Sequence, residues 1–266
     1  MRIALALEFS GTPFTGWQSQ PDGGSAQDAL ERALSAIAGM AVRSVAAGRT
    51  DSGVHAALQV VHFDARVTRP MSAWVRGVNA HLPAAMAVLW ARAVPDDFHA
   101  RFAATARHYT YWLLNRPVRP ALFGGRLGWY HRPLDVEAMR TAARALQGTH
   151  DFSAFRAAQC QARTPIKTLH RVDILREGEL IRFNFSADAF LHHMIRNMVG
   201  SLLHVGAGKV PPEWLADVLL GRDRTRAAAT FAPDGLYFTG VDYPVVFGLP
   251  CTRREVEFSW PEDEAP

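Results

Sequence analysis

Residues 42–63 read VRSVAAGRTDSGVHAALQVVHF, two apolar segments on either side of a polar loop. The segments at 42–47 and 58–63 are rich in valine, alanine and leucine, which predicts two strands. Between them, Gly48 and Gly53 permit backbone torsions that are closed to other residues, so the loop can turn sharply. Because a sheet holds such a loop rigidly, a polar loop between two strands is a common place for chemistry.

The residues before this loop predict a strand and a capped helix. Residues 2–10 alternate apolar with small or polar side chains, the period-2 pattern of a strand with one buried face. Ser25 and Asp28 have the spacing of a capping box, which opens a helix that stops at Gly39. The chain therefore begins with the order strand, helix, strand, strand.

The rest of the chain continues in alternating helices and strands. The predicted elements are a helix at 72–80, a strand at 86–93, a strand at 109–114, a helix at 136–146, strands at 166–175 and 180–187, helices at 191–205 and 212–220, and a strand at 236–242. Each half thus approximates the order β-α-β-β-α-β, which is that of a ferredoxin-like unit.

We therefore predict an α+β fold. Two ferredoxin-like (RNP-like) halves form a continuous, mostly antiparallel sheet with helices on one face and a central active-site cleft, since ligand sites tend to lie between such halves. The predicted divisions are an N-terminal half carrying the polar loop, a C-terminal half, and a C-terminal extension with an acidic tail at 261–266: residues 1–104, 105–250 and 251–266.

Composition limits the classes of protein that fit. Of 266 residues, 48% are hydrophobic and 20% are charged, which is ordinary globular composition. The formal net charge is +4, and only Lys167 and Lys209 are lysines, so nearly all positive charge is arginine. Arginine grips phosphate with two bonds and stacks on bases, which favours a nucleic-acid partner, although a GC-rich genome would enrich arginine equally well.

Two cysteines, Cys160 and Cys251, stand alone without a Cys-x-x-Cys pair, which argues against a disulfide framework or a structural zinc site. No run of about 18 apolar residues is present, so we expect a soluble, cytoplasmic protein with no membrane association.

From its spacing alone, the loop around Asp51 has two interpretations. Asp51 is a catalytic carboxylate presented by the flanking glycines, or Thr50 and Asp51 only cap a turn through bonds from their side chains to the backbone. Both fit the residue types, and the loop itself does not separate them.

The loop Ala47-Gly-Arg-Thr-Asp-Ser-Gly-Val-His55 resembles the signature loop of the TruA family of transfer-RNA pseudouridine synthases. Other segments resemble the same family in the same order: Gly16-Trp-Gln18, Gly77-Val-Asn-Ala80, Phe98-His-Ala-Arg-Phe102, Ala106-Arg-His-Tyr109, Phe152-Ser-Ala-Phe155, His192-His-Met-Ile-Arg-Asn-Met-Val-Gly200, Gly235-Leu-Tyr237 and Val241-Asp-Tyr-Pro244. The resemblance extends from residue 2 to about residue 250.

The resemblance implies isomerisation of uridine to pseudouridine at positions 38, 39 and 40 of the transfer-RNA anticodon stem-loop, with base flipping and without a cofactor or metal. It implies that Asp51 is the catalytic aspartate. It also implies that Tyr109 stacks on the uracil and takes the C5 proton, and that Leu236 lines the pocket. A homodimer that binds one RNA across both subunits is a further implication.

Other predicted site residues follow from charge and position. Arg49, in the same loop, and Arg196, on the helix predicted at 191–205, are candidates for keeping Asp51 ionised. On that helix, His192 and Gly200 would share a face with Arg196. Further residues predicted to hold the RNA backbone and fill the space left by a flipped base are Arg101, Arg107, Trp17 and Gln18.

Two other classes of function also fit these residue types. A hydrolytic metalloenzyme would use Asp51 and His55 with the pair His192-His193, although these residues lack the spacing of a known metal motif. A non-catalytic RNA-binding module would explain the basic charge and the aromatic residues but leaves Asp51 without a role, because a carboxylate repels phosphate.

Overall fold

The computed structural model describes residues 1–259, so the acidic tail predicted at 261–266 lies outside the described residues. The fold is mixed α+β, as predicted, with a large open sheet of ten strands and few helices. In chain order the elements are β1 (Arg2–Phe9), α1 (Ala26–Ala38), β2 (Val45–Ala46), β3 (His55–Asp64), β4 (Met86–Val94), β5 (Ala106–Asn115), β6 (Gly128–Tyr130), α2 (Val136–Ala143), β7 (Gly148–Asp151), β8 (Ile166–Glu177), β9 (Leu180–Ala187), α3 (Met194–Gly206), α4 (Trp214–Gly221) and β10 (Leu236–Asp242).

The chain divides into two compact units. The first unit comprises Met1–His108 and Tyr237–Glu255, and the second comprises Tyr109–Leu236 and residues 256–259. The structure thus differs from a division at residues 104 and 250, because most of β10 groups with the N-terminal residues. The physical reason is that β10 pairs in parallel with β3, where Tyr237 lies opposite His55.

In the first unit, β1 lies between β3 and β4 and is antiparallel to both. The short β2 pairs with β3 on part of its length, so the neighbour relations are those that the order β-α-β-β-α-β predicts. Ile3 to Leu7 are all fully buried, including Ala4 and Ala6. The alternating pattern predicted one buried face, whereas β1 is buried on both faces because its intervening residues are small alanines that are covered as well.

Helix α1 confirms the predicted capping box. The Ser25 hydroxyl accepts a hydrogen bond from the Asp28 backbone N–H, and the Asp28 carboxylate accepts one from the Ser25 N–H. At the other end, Gly39 has φ of 71°, the left-handed conformation that ends many helices. Both signals are local in sequence, so the bounds of this helix could be predicted closely.

Three predicted elements differ in extent. The strand predicted at 42–47 is reduced to β2, and the helix predicted at 72–80 contains a π-type turn at Ala73–Gly77. The helix predicted from residue 191 begins instead at Met194, because His193 has φ of 62° and so cannot lie within a helix. The remaining predicted strands and helices are present with small changes at their ends.

In the second unit, the strands are ordered β5-β9-β8-β7, and β6 pairs in parallel with β5. β8 is antiparallel to both β9 and β7. Helix α2 packs against α3 and β8, and the buried aromatic residues include Tyr111, Phe152 and Phe183. The short strands β6 and β7 were not predicted, because three or four residues carry too little periodicity to recognise.

Within residues 1–259, no helix combines the length and apolar character needed to cross a membrane.

Candidate active site

The Asp51 loop is held against the chain segment that follows β1. The Trp17 backbone N–H donates to the Thr50 carbonyl at 3.0 Å. At Gly11, an added Cβ would lie only 2.1 Å from the Val54 carbonyl oxygen, so the two backbones approach as closely as glycine allows. The half-buried Asp51 therefore sits on a loop whose position is fixed by neighbouring backbone.

The backbone of the loop turns tightly at Asp51, whose carbonyl accepts a hydrogen bond from the Val54 N–H at 3.1 Å. On the side of the loop nearest β2, the Gln59 amide donates to the Gly48 carbonyl at 2.7 Å. Gln59 is fully buried on β3, so the loop is anchored to the sheet at one end and to residues 11–17 at the other.

His55 has a clear structural role at the start of β3. Its ring is 3% exposed, and its Nδ1 accepts a hydrogen bond from the Gly11 N–H at 3.0 Å. The ring also stacks on Tyr237, with centroids 4.7 Å apart and planes within 19°. His55 thus fixes the end of the Asp51 loop and joins it to β10.

Three predicted arginines lie around this loop in the first unit. The pKa of Arg49, an exposed residue, is lowered first by partial burial of its guanidinium and then by the positive charge of Arg101. The two arginines therefore lie close enough to repel each other. Arg107 donates to the carbonyls of Ala47 and Arg101, at 3.3 and 2.6 Å. Arg107 therefore ties the start of the Asp51 loop to the segment that carries Arg101.

Trp17 and Gln18 lie in the segment that contacts the Asp51 loop. Trp17 is 2% exposed, and its ring packs on Phe9 with centroids 5.7 Å apart. The Gln18 side-chain amide donates to the Gln27 carboxamide oxygen at 3.3 Å. Trp17 is therefore a core residue that supports the Asp51 loop, whereas the neighbouring Gln18 is exposed to solvent.

In the second unit, Tyr109 is 8% exposed and meets the edge of Phe190, with ring centroids 5.1 Å apart. Arg196 lies on α3, and its Nε donates to the Phe231 carbonyl at 2.8 Å. The Phe231 N–H in turn donates to the Arg196 carbonyl at 3.2 Å. The predicted common helical face of His192 and Arg196 is wrong, because His192 lies before the first residue of α3.

Leu236 is 5% exposed. It ends the segment 231–236, which is hydrogen-bonded to α3 through Phe231 and Arg196. Its N–H donates to the Pro233 carbonyl at 2.8 Å, closing a turn after Phe231. Because Arg196 holds Phe231, the structure connects two of the predicted site residues, Arg196 and Leu236, through residues 231–236.

A buried polar cluster that was not predicted positions this segment. The fully buried Asn197 accepts hydrogen bonds at its Oδ1 from Thr230, at 2.7 Å, and from Arg224, at 3.0 Å. Its amide nitrogen donates to the Phe155 carbonyl at 2.7 Å. An asparagine followed by apolar residues in a predicted helix was a usable signal, but nothing in the sequence identified Arg224 as its partner.

Comparison with known proteins places these features in one class. A family model described as tRNA pseudouridine synthase matches residues 5–103 and 142–244, which is more than half of the chain. The chain belongs to the tRNA pseudouridine synthase family.

Individual relatives are similar over nearly the whole chain. A protein of Thiobacillus denitrificans named tRNA pseudouridine synthase A is 60% identical over 97% of this chain and 100% of its own length. Proteins of the same name from Chromobacterium violaceum and Dechloromonas aromatica are 60% and 56% identical, each over 94% of this chain and at least 95% of their own. A solved Cbf5-Nop10-Gar1 complex has a TM-score of 0.41 at 12% identity, covering 89% of this chain and 48% of that chain, which is too low to support a conclusion.

Proposed function

We propose that this protein isomerises uridine to pseudouridine in transfer RNA, at positions 38, 39 and 40 of the anticodon stem-loop, without a cofactor or metal. The observation that carries the proposal is the 60% identity to a relative named tRNA pseudouridine synthase A across 97% of this chain and all of the relative. The rigidly held Asp51 loop supplies the carboxylate that such a reaction requires.

The reaction conserves every atom of the uridine. The C1′–N1 glycosidic bond breaks, the uracil rotates, a C1′–C5 bond forms, and the proton on C5 leaves while N1 gains one. Such a reaction needs a group that stabilises or attacks the electron-poor centre, a proton acceptor, and a pocket that retains the free base. We assign the first role to Asp51, acting as a nucleophile or as an electrostatic stabiliser of C1′.

The other roles are assigned residue by residue. Tyr109 stacks on the uracil and its hydroxyl accepts the C5 proton, and Leu236 contacts the base. Arg49 and Arg196 keep the carboxylate of Asp51 ionised, because a nearby positive charge favours the charged form of an acid. The residues proposed to hold the RNA are Arg101, Arg107 and Gln18, and the buried Trp17, which was predicted to join them, instead supports the segment that carries Gln18.

A uridine in a paired stem reaches such a site only after it leaves the helix. Flipping the nucleotide costs a few kcal/mol of stacking and pairing, which contacts to the RNA backbone offset. We further propose that the enzyme works in the cytoplasm as a homodimer that binds one RNA across both subunits. Sedimentation of the purified protein with and without transfer RNA tests the dimer.

The proposal is tested by mapping pseudouridine in an unmodified transfer-RNA transcript after incubation with the enzyme. We expect modification at positions 38 to 40 and at no other uridine, and loss of each signal when that uridine is replaced by cytidine. Modification confined to other positions would overturn the assignment of the substrate site.

The role of Asp51 is tested in the same assay with Asp51→Asn. We expect the variant to bind the transcript and to form no pseudouridine, because the amide has no charge to stabilise C1′ and is a poor nucleophile. The matched control is Asp22→Asn, which changes an exposed aspartate in the loop before α1. Equal loss of activity in both variants would count against a specific role for Asp51.

A further inference from the structure

Phe102 is an aromatic side chain left open to solvent. It is 77% exposed, whereas Trp129, the other exposed large aromatic residue among those described, is 36% exposed. Single exposed apolar side chains are common on proteins. The exposure of Phe102 therefore matters only because of how its ring is held and which charges surround it.

The ring of Phe102 rests on the ring of His99. The two centroids are 4.3 Å apart and the planes differ by 26°, so one face of Phe102 is stacked. The His99 Nδ1 accepts hydrogen bonds from the N–H groups of Phe102 and Arg101, at 3.1 and 3.2 Å. His99 thus supports the ring and fixes the backbone that carries it.

The backbone that precedes Phe102 is also fixed. The Ala100 N–H donates to Nδ1 of the buried His62 at 3.1 Å, and the Tyr243 hydroxyl donates to the Ala100 carbonyl at 2.6 Å. Arg107 donates to the Arg101 carbonyl at 2.6 Å. An exposed ring on a backbone held at three successive residues is preorganised, and binding to it costs little conformational entropy.

One positive charge lies beside the ring. The guanidinium carbon of Arg101 lies over the Phe102 ring, 5.6 Å from its centroid. Arg101 is close enough to Arg49 for its charge to lower the pKa of Arg49, and Arg49 is two residues from Asp51. The exposed ring therefore lies next to cations that flank the Asp51 loop, which suits a ligand that has both a flat aromatic group and negative charge.

We propose that Phe102 is a stacking platform for an unpaired base of the RNA substrate, with Arg101 contacting the phosphate beside that base. The inference rests on the proposed function, because it takes the substrate of Asp51 to be RNA. A second copy of the chain is a poorer occupant, since two such surfaces facing each other would bring like charges together.

The proposal is tested by measuring the affinity of transfer RNA for Phe102→Ala, Phe102→Leu and Phe102→Trp, together with kcat and KM for pseudouridine formation. Stacking of one base on an aromatic ring typically changes affinity by about tenfold or more. We expect the alanine and leucine variants to lose about tenfold in affinity and to raise KM with little change in kcat. Phe102→Trp should bind as the wild type does.

The control is Leu122→Ala, which removes another exposed apolar side chain, 88% exposed in the second unit. Its affinity and KM should not change. All four variants should unfold at the wild-type temperature, because neither exposed side chain contributes much buried area.

Two results would overturn the platform. One is equal affinity for Phe102→Leu and the wild type, since leucine preserves apolar contact but cannot stack. The other is unchanged RNA affinity with a weakened dimer in sedimentation, which would assign the surface to a second copy. If the wild type bound RNA without forming pseudouridine and Phe102→Ala still weakened binding, the proposed function would fail and the platform would stand.

Discussion

At the scale of single residues, close contact between two backbone segments holds the loop around Asp51. Gly11 and Gly16 allow the segment after β1 to touch the loop, since Gly16 has φ of 102° and lies against the carbonyl of Thr50. The sequence predicted a loop here and named Asp51, but it did not predict this contact. Close approach of two backbones separated by some forty residues depends on tertiary packing, which local patterns do not encode.

Gly11→Ala tests whether this contact positions Asp51. A methyl group 2.1 Å from the Val54 carbonyl forces the two segments apart, so we expect a loss of about 1–3 kcal/mol in the free energy of unfolding and a clear fall in kcat. Gly24→Ala is the matched control, because its Cβ would meet only Thr15 at 3.4 Å, an ordinary contact. Urea unfolding and pseudouridine formation are measured for both. Normal kcat in Gly11→Ala would show that the contact does not position the carboxylate.

At the scale of elements, α1 and α3 show what local sequence can and cannot predict. The ends of α1 are set by Ser25, Asp28 and Gly39, which act within a few residues of one another, so its bounds were predicted. The start of α3 is set by the left-handed conformation of His193. A residue other than glycine adopts that conformation only where the surrounding structure imposes it, so the sequence alone predicted the helix three residues too early.

The hydrogen bonds of Asn197 attach the segment before β10 to α3. We expect Asn197→Ala to lower the free energy of unfolding by about 2–4 kcal/mol, because it removes the oxygen that accepts from Arg224 and Thr230 and the amide that donates to the Phe155 carbonyl. Activity should fall too, since residues 231–236 carry Leu236. Thr230→Val removes one of these bonds and should cost less.

Chemical denaturation of both single variants and of the double variant measures the coupling between the two side chains. Because Asn197 and Thr230 share a hydrogen bond, the double variant should lose less than the sum of the two single losses. Strict additivity would show that this bond contributes nothing to the stability of the segment.

At the scale of the whole molecule, stability should depend on the protonation of a buried histidine. Burial, and then the charges of His99 and Arg2, lower the pKa of His62 from 6.5 to about 4. Its Nδ1 accepts the Ala100 N–H, a bond that the neutral ring makes. Between those two pKa values the unfolded chain binds a proton that the folded chain does not, so stability falls as the pH is lowered.

Urea unfolding between pH 7 and pH 4.5 tests this effect. As the pH is lowered, we expect His62 to reduce the free energy of unfolding by less than ~1.4 kcal/mol per pH unit, beginning near pH 6.5. In His62→Gln the free energy of unfolding should depend less steeply on pH, but some dependence should remain because the pKa of His99 is lowered as well. Parallel curves for the two proteins would contradict the assignment to His62.

The fold as a whole was easier to predict than the arrangement of its site. The α+β class and most strands of both units follow from hydrophobic periodicity, and the family resemblance extended from residue 2 to about residue 250. The grouping of β10 with the first unit depends on pairing between residues nearly two hundred positions apart, such as Tyr237 and His55. The buried state of Trp17, which was predicted to contact RNA, likewise depends on packing against distant residues such as Phe9.

The most direct measurement is release of tritium from C5-labelled uridine in an unmodified transfer-RNA transcript, with enzyme in excess and a chelator present. We predict that the wild type releases tritium from the 38 to 40 region in a single turnover and that Asp51→Asn binds the same transcript and releases none. Release by Asp51→Asn at the wild-type rate would contradict the catalytic role of Asp51. Absence of release by the wild type, with the transcript bound, would contradict the isomerase itself and favour an RNA-binding module, whereas activity restored by removing the chelator would indicate a metal site.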